Sequence, residues 1–373
     1  MDRAAIHDPY TAAGVDTAAG DRAVELMKAS VAATQGSQVL GGIGGFAGLW
    51  DASALKAYRR PVLASSTDGV GTKVAIAQAI DKHDTIGHDL VGMVVDDIVV
   101  VGATPLFLTD YIACGSVVPE RIAEIVAGIA DGCRRTGTAL IGGETAEHPD
   151  LLAPDEYDLA GAAVGAVEAD ALLGAARVRD GDAVLAIASS GLHANGFSLV
   201  RRIVRDAGLR YTDRIDEFAA PLGEVLLEPT RLYTAPLLRL LASPSGPDVH
   251  ALSHVTGGGI AANLARVLPA GSWVEVERGS WTPPDVFAVL ADRGGLTLTD
   301  VEGAWNLGVG MLAVLDPAAI APTQALLQEA GMDSWVVGQV STGQRPVAAF
   351  EQHAKGAAGG AVRLTGTWGD PHR

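Results

Sequence analysis

Helix-like and strand-like spacings of apolar residues alternate along the whole chain, so the sequence predicts mixed α and β structure throughout. Val24, Met27 and Val31 recur at helical spacing, predicting a helix over 18–34 that Asp16 or Thr17 can cap, with Lys28 beside its apolar stripe. Five glycines then crowd the stretch Leu40-Gly-Gly-Ile-Gly-Gly-Phe-Ala-Gly-Leu49 and predict a loop, or backbone held close to a ligand. A short strand is expected over 61–66. The span 85–101 predicts a helix that is apolar nearly all round, with Ile86, Leu90, Met93, Ile98 and Val101 on one face and Val91, Val95 and Val99 elsewhere. Strands over 105–114, 139–142 and 159–167 surround an amphipathic helix over 120–134.

Polar residues dominate 169–181, which places a domain break near residue 170. Beyond it the pattern predicts strands over 183–188, 309–315 and 335–340, and helices over 195–206, 229–241, 260–268 and 284–292. The resulting division is an N-terminal domain over 1–170, a second α/β domain over 171–345, and a C-terminal strand with a tail over 346–373. The Gly-, Ala- and Thr-rich end, 352–373, is expected to trail off from the fold.

Length agrees with this division, since 373 residues at roughly 100–200 per domain make two domains. Lys and Arg number 27 against 44 Asp and Glu, and the net charge of -17 argues against nucleic acid or anionic membranes as partners. Cys114 and Cys133 lack CxxC spacing, which fits a reducing compartment and makes the cytoplasm the expected location. The charged segment 1–13, with Asp2, Arg3, His7 and Asp8, reads as neither signal peptide nor anchor, and Asp96 and Asp97 interrupt the apolar run over 91–101.

Candidate chemistry begins at Ser65-Ser-Thr-Asp-Gly-Val-Gly-Thr-Lys73, directly after a predicted strand. Gly69 and Gly71 permit close backbone approach, Thr67 and Thr72 offer hydroxyls, Lys73 a cation, and Asp68 a hard oxygen for Mg²⁺. The plain alternative is an Asp-Gly turn. Asp89, Asp96 and Asp97 lie on the apolar helix, where carboxylates among Val and Ile need a cation or hydrogen-bond donors. Spacing of seven puts Asp89 and Asp96 on nearly one side, with Asp97 about 100° round.

Glu144 follows two glycines where a predicted strand ends, the edge at which α/β proteins keep their sites, so it is a candidate for a metal or a substrate amine. In the second half, Ser190, Gly191, His193, Asn195, Ser198 and Arg201 run from a strand end into a helix N-terminus and form a candidate anion pocket. Thr256, Gly257, Gly258 and Gly259 open another helix after His254 and form a second phosphate cradle. Each equally reads as a helix cap. His193 and His254 are candidate proton donors or structural donors. Gly42–Ala47 fits a loose dinucleotide template without the strand-turn-helix context, and no GxxxxGK[ST] loop occurs.

These stretches, taken in order, resemble the phosphoribosylformylglycinamidine cyclo-ligase family, the aminoimidazole ribonucleotide synthetases. The resemblance rests on Ala13-Gly-Val-Asp16, Gly41–Phe46, Thr67–Lys73, His83-Asp-Thr-Ile-Gly87, Gly142–Glu147, Ser189–Gly191 with His193, Asn195 and Gly196, and Thr256–Gly259. It implies two α/β domains per subunit, N-terminal sheets pairing into a barrel across a homodimer, and ATP-dependent cyclisation of formylglycinamidine ribonucleotide to aminoimidazole ribonucleotide. It also implies Mg²⁺ at Asp68, Asp97 and Asp96, with K⁺ as a further candidate ion. Nucleotide contacts follow from Lys28, Gly41, Gly42, Gly44, Gly45, Thr67, Gly69, Gly71, Thr72 and Lys73, and catalytic roles from Lys73, Glu144, His193 and His254. Asp96 stands where the family usually has asparagine, and His148 where it usually has methionine. Selenophosphate synthetases, thiamin-phosphate kinases and hydrogenase-maturation proteins share this logic and are the rival readings, together with a silent nucleotide-binding regulator.

Overall fold

The computed structural model describes residues 16–42, 44–344, 352–353 and 359–369. It starts with α1 (Thr17–Ala32), whose first turn is capped by Asp16 accepting the amides of Ala18 and Ala19 at 3.0 Å. The glycine-rich residues 41–42 and 44–48 lie at the tip of a ribbon between β1 (Val39–Leu40) and β2 (Leu49–Trp50), and residue 43 lies outside the described residues. The first domain is then built on β3 (Pro61–Gly69), β4 (Thr104–Cys114), β5 (Ala139–Glu147) and β6 (Tyr157–Glu168), in the sheet order β3-β6-β4-β5. Helices α2 (Val74–Ile80), α3 (Ile86–Val100) and α4 (Pro119–Thr136) complete it.

The apolar character of α3 follows from its surroundings, because it is covered on several sides at once. A Cβ at Gly87 would stand 2.1 Å from the Ile129 nitrogen of α4, and one at Gly92 would stand 2.5 Å from the Thr230 side chain of the second domain. At Gly165 of β6 a Cβ would meet Ile98 at 2.3 Å. Sheet, neighbouring helix and second domain therefore all bury the same fifteen-residue element.

The second domain carries a seven-stranded sheet ordered β12-β13-β9-β11-β7-β10-β8. Its strands are β7 (Ala183–Ala188), β8 (Val249–His254), β9 (Trp273–Glu277), β10 (Val309–Leu315), β11 (Ser334–Ser341), β12 (Gln352–His353) and β13 (Ala361–Thr365). Its helices are α5 (Phe197–Asp206), α6 (Leu222–Leu226), α7 (Thr234–Leu241), α8 (Gly259–Val267), α9 (Asp285–Arg293) and α10 (Ile320–Glu329). One buried cluster runs from α3 and α4 into α5 and α9, so the two domains share a core.

Several elements differ from the sequence expectation. Residues 229–233 are irregular and the helix starts only at Thr234, because the segment turns to lay its amides on α3. β8 is fully buried although it carries His250, Ser253 and His254, polar residues that hide a strand pattern. α10 holds Pro322 in its first turn, where the missing amide has no helical partner to lose. The stretch expected to trail off contains β13, paired in parallel with β9 and burying Ala361 and Val362. Segments 1–15, 345–351, 354–358 and 370–373 lie outside the described residues, as does the Ala13–Val15 part of the first matching motif. Among the described residues no helix is long and apolar enough to cross a membrane, and both cysteines are buried free thiols.

Candidate active site

Strand register sets the N-terminal half of the site. β3, β4 and β5 run in one direction and β6 against them, and Asp68, Gly161, Asp110 and Gly143 fall opposite one another across the four strands. Gly69, Ala160, Tyr111 and Glu144 form the adjacent row. With about 4.8 Å between neighbouring strands, each row is about 14 Å long. Thr67, Asp68 and Gly69 are thus a strand end rather than a turn, and Gly71, at φ 71°, bends the chain into a short 3₁₀ helix over Gly71–Lys73.

Asp68 and Asp97 approach one another at the cleft between the domains, and His254 at the end of β8 closes the group. His254 Nδ1 lies 3.0 Å from Asp97 Oδ1. Burial raises the Asp68 pKa, the Asp97 charge raises it further, and the Gly69 amide and His254 only partly oppose this. Burial disfavours charge on His254, but its hydrogen bond to Asp97 and the nearby Asp96 and Asp68 outweigh it and leave its pKa raised. Its Nε2 is buried without a partner among the described residues. Nearby, Thr72 Oγ1 and Ser198 Oγ are 3.2 Å apart, so the turn after β3 meets the N-terminus of α5.

Several of the sequence-based candidates are engaged by other protein groups in the structure. Lys73, predicted at the phosphates and in catalysis, is fully buried, and its ammonium donates to Asp89 Oδ1 (2.8 Å), the His193 carbonyl (2.8 Å) and the Glu228 carbonyl (2.7 Å). All three N–H donors of a lysine are therefore occupied. Asp96, predicted as a metal ligand, is also fully buried. It accepts from the amides of Tyr233 and Thr234 and from Thr234 Oγ1, capping α7 across the domain boundary. Burial still pushes its pKa up to about 6.

His193, predicted as catalytic, is held at φ 60° with its ring buried against Tyr233. Its Nε2 accepts the Ser190 amide at 3.2 Å, and burial, with His254 and Lys73 nearby, holds its pKa well below the usual range, so it carries no positive charge for a phosphate. Ser190 donates its hydroxyl to the Pro229 carbonyl at 2.6 Å. With Gly191 it borders a cavity of about 570 Å³ lined by Glu217, Glu224, Glu228 and Asp285 against one cation, Lys82, an acidic balance that disfavours anions.

The remaining second-domain candidates converge. The Asn195 oxygen would lie 3.5 Å from a Cβ at Gly257, which brings the α5 and α8 N-termini together. Gly258 and Gly259, at φ 103° and 70°, turn the chain into α8, and Asn263 Nδ2 ties the turn by donating to the Gly259 carbonyl at 2.8 Å. Arg201 stays exposed beside Tyr211.

A cavity of about 730 Å³ lies between α1 and β5 beneath the glycine-rich tip. Gly42, Gly44 and Gly45 line it together with Met27, Asp110 and Glu144, and Gly41 sits at its edge of the ribbon at φ 85°. Glu144 is exposed and accepts the Thr145 amide at 3.1 Å. Lys28 instead faces outward and pairs with Glu25. Asp110 was not found from sequence. Burial pushes its carboxyl up to about 7, and a Cβ on Gly143 would stand 1.7 Å from its Oδ1, so only glycine gives this carboxyl room. The signal available was Thr109-Asp110, a carboxylate in an otherwise apolar strand.

A half-covered sheet, a carboxylate at the end of β3 beside another on α3, and glycine turns facing them across a cleft define a two-domain α/β protein that handles a charged small molecule. Profiles described as "AIR synthase related protein, N-terminal domain" and "AIR synthase related protein, C-terminal domain" match residues 50–167 and 179–351. Solved structures with this fold include thiamine-monophosphate kinase from Stenotrophomonas maltophilia K279a (TM-score 0.60, 19% identity, 90% of this chain and 96% of that one). HypE from E. coli, a hydrogenase maturation protein, gives TM-score 0.60 at 20% identity over 93% of both chains. Phosphoribosylformylglycinamidine cyclo-ligase of Geobacillus sp. (strain WCH70) is 48% identical over 90% of this chain and 96% of its own length. That of Thermosynechococcus vestitus is 47% identical over 90% and 96%. The chain belongs to the AIR synthase-related family and, within it, to the phosphoribosylformylglycinamidine cyclo-ligases.

Proposed function

We propose that this enzyme uses ATP to cyclise formylglycinamidine ribonucleotide to aminoimidazole ribonucleotide, releasing ADP and phosphate. The observation that carries the reading is the meeting, at one cleft, of Asp68 and Asp97 with the Thr72–Ser198 contact and the glycine turn at 257–259. In this reaction the substrate's formyl oxygen attacks the γ-phosphorus and ADP leaves. A nitrogen of the same substrate then attacks the activated carbon, and phosphate departs. Neither step needs a protein nucleophile, so the chain's task is to hold two ligands in line.

Asp68 and Asp97 are two partly exposed carboxylates that repel each other across a small gap, a donor set that fits Mg²⁺. Among the described residues no cluster of three or more His, Cys, Asp or Glu side chains surrounds such an ion, and Mg²⁺ commonly takes one or two carboxylates with waters and phosphates. When bound, the ion neutralises the triphosphate. Gly69, Gly71 and Thr72 present backbone and hydroxyl to the same phosphates, while Gly41, Gly42, Gly44 and Gly45 fold over them and exclude water from the activated amide. Glu144, at the far end of the row, orients an amine-bearing group.

On the substrate side, Asn195, Ser198, Arg201 and the Thr256–Gly259 turn take the ribose phosphate. His254, hydrogen-bonded to Asp97, stands at the junction of the two ligands. The open face of the first sheet exposes Leu63 and Tyr111, and covering it with a second copy makes a homodimer. We place the enzyme in the cytoplasm.

Substrate-dependent ADP release tests this, with Mg²⁺ supplied and K⁺ varied. ADP formed only with formylglycinamidine ribonucleotide is the expected result. ADP formed equally without it, or with thiamin phosphate in its place, refutes the reading.

A further inference from the structure

The segment Glu302–Asn306 underlies three glycine turns of the second domain at once. A Cβ at Gly259 would lie 1.8 Å from the Glu302 carbonyl oxygen, so α8 can start only with its backbone pressed on this segment. A Cβ at Gly196 would lie 2.4 Å from the Trp305 ring, whose Nε1 donates to the Gly196 carbonyl at 3.4 Å. Asn306 Nδ2 donates to the Gly191 carbonyl at 2.8 Å. Moving 302–306 therefore moves the start of α5 and of α8 together.

What fixes 302–306 is the C-terminal end of the chain. Glu302 receives both sides of the Arg278 guanidinium, Nε to Oε1 at 2.7 Å and Nη2 to Oε2 at 2.9 Å, and it also receives the indole N–H of Trp368 at 2.8 Å. The same Arg278 donates to the carbonyls of Leu364 and Gly366, both at 3.0 Å. The Trp368 ring stands edge-on to Trp281 with centroids 4.9 Å apart. β13 anchors this end in the sheet, and the family profile stops at residue 351, before any of it.

We propose that residues 361–368 are a clamp which, through Arg278 and Glu302, sets the glycine turns at 196 and 257–259 and so tunes the enzyme's affinity for its phosphate-bearing substrate. The effect on affinity rests on the function proposed above, whereas the clamping of the turns does not. Trp368, Arg278 and Glu302 are positioning residues, since their side chains bond to one another and to the carbonyls of Leu364 and Gly366. A two-acceptor, three-donor arrangement around one half-buried carboxylate is stiff because charge-assisted, bidentate bonds are the strong ones. Loss of any donor loosens it.

The test uses the full-length enzyme with Trp368→Ala, and with Trp368→Phe, which keeps an aromatic ring facing Trp281 while removing the N–H together with part of the ring. Amide exchange at 195–198 and 256–260 is expected to quicken about tenfold in Trp368→Ala, with exchange in β3–β6 unchanged. The KM for formylglycinamidine ribonucleotide is expected to rise about fivefold while kcat and the KM for ATP stay within about twofold, and Trp368→Phe is expected to show a smaller rise. Faster exchange with an unchanged substrate KM upholds the clamp and removes those turns from the substrate site. Unchanged exchange at both turns in a folded Trp368→Ala protein overturns the clamp.

Discussion

Replacing Lys73 with methionine tests the sharpest disagreement between sequence and structure. The substitution keeps the length of the side chain and removes its charge. It leaves Asp89 as an uncompensated carboxylate at 0% exposure, with the carbonyls of His193 and Glu228 deprived of their donor. Breaking one partner of a buried ion pair costs about 3–5 kcal/mol. At about 2–4 °C per kcal/mol for domains of this size, Lys73→Met should melt about 10 °C lower. Burial already raises the Asp89 pKa, and loss of the ammonium raises it further. A raised carboxyl pKa means stability lost as pH climbs, so the deficit of the variant should shrink on moving from pH 8 to pH 5. Adding Asp89→Asn removes the stranded charge while an oxygen remains for Thr230, and the double variant should lose less than the two single losses added together. Thermal melts across pH, with turnover measured well below the melting range, separate the outcomes. An unchanged melting temperature with abolished turnover would return Lys73 to the phosphates and refute the interdomain reading.

Other variants divide the acidic residues by role. Asp68→Asn should lower turnover at least about a hundredfold with an unchanged melt, as expected of a ligand that neutralises transferring phosphate, and near-normal ADP release would remove Asp68 from the site. Asp96→Ala should lower stability by about 2–4 kcal/mol by uncapping α7, while Mg²⁺ dependence stays that of the parent; a shifted Mg²⁺ requirement would contradict the structure. Asp110, whose folded pKa is about 7 against an ordinary 3.8, costs stability progressively as pH rises between those values. Asp110→Asn should therefore raise the melting temperature at pH 8 and leave it nearly unchanged at pH 4, and equal shifts at both would mean the carboxyl is not desolvated.

Much of the site was legible as motif and little of it as role. The spacing of seven between Asp89 and Asp96 does put both on one side of α3, with Asp97 on another, as helical geometry requires. That side, however, meets the segment 228–234, whose amides and hydroxyls donate to Asp89 Oδ1 and to Asp96. A residue whose partner lies 137 or 141 positions away leaves no trace in its own neighbourhood. Ser190 and His193 misled for the same reason: a short polar stretch before a helix looks alike whether it binds an anion or ties its own backbone. Asp110 was passed over because one acidic residue in a strand gives no periodic signal until Gly143 is seen beneath it.

The sequence by itself determined that helices and strands alternate and where many of them lie, because these follow from local periodicity and backbone freedom, whereas α2, β8, β9 and α10 escaped it. Only the tertiary structure decided which charges face a ligand and which face another domain. Lys73, Asp89 and Asp96 lost their water to the second domain, while Asp68 and Asp97 kept some of theirs, and the cost of burying a charge is set by what packs against it rather than by its neighbours in the chain.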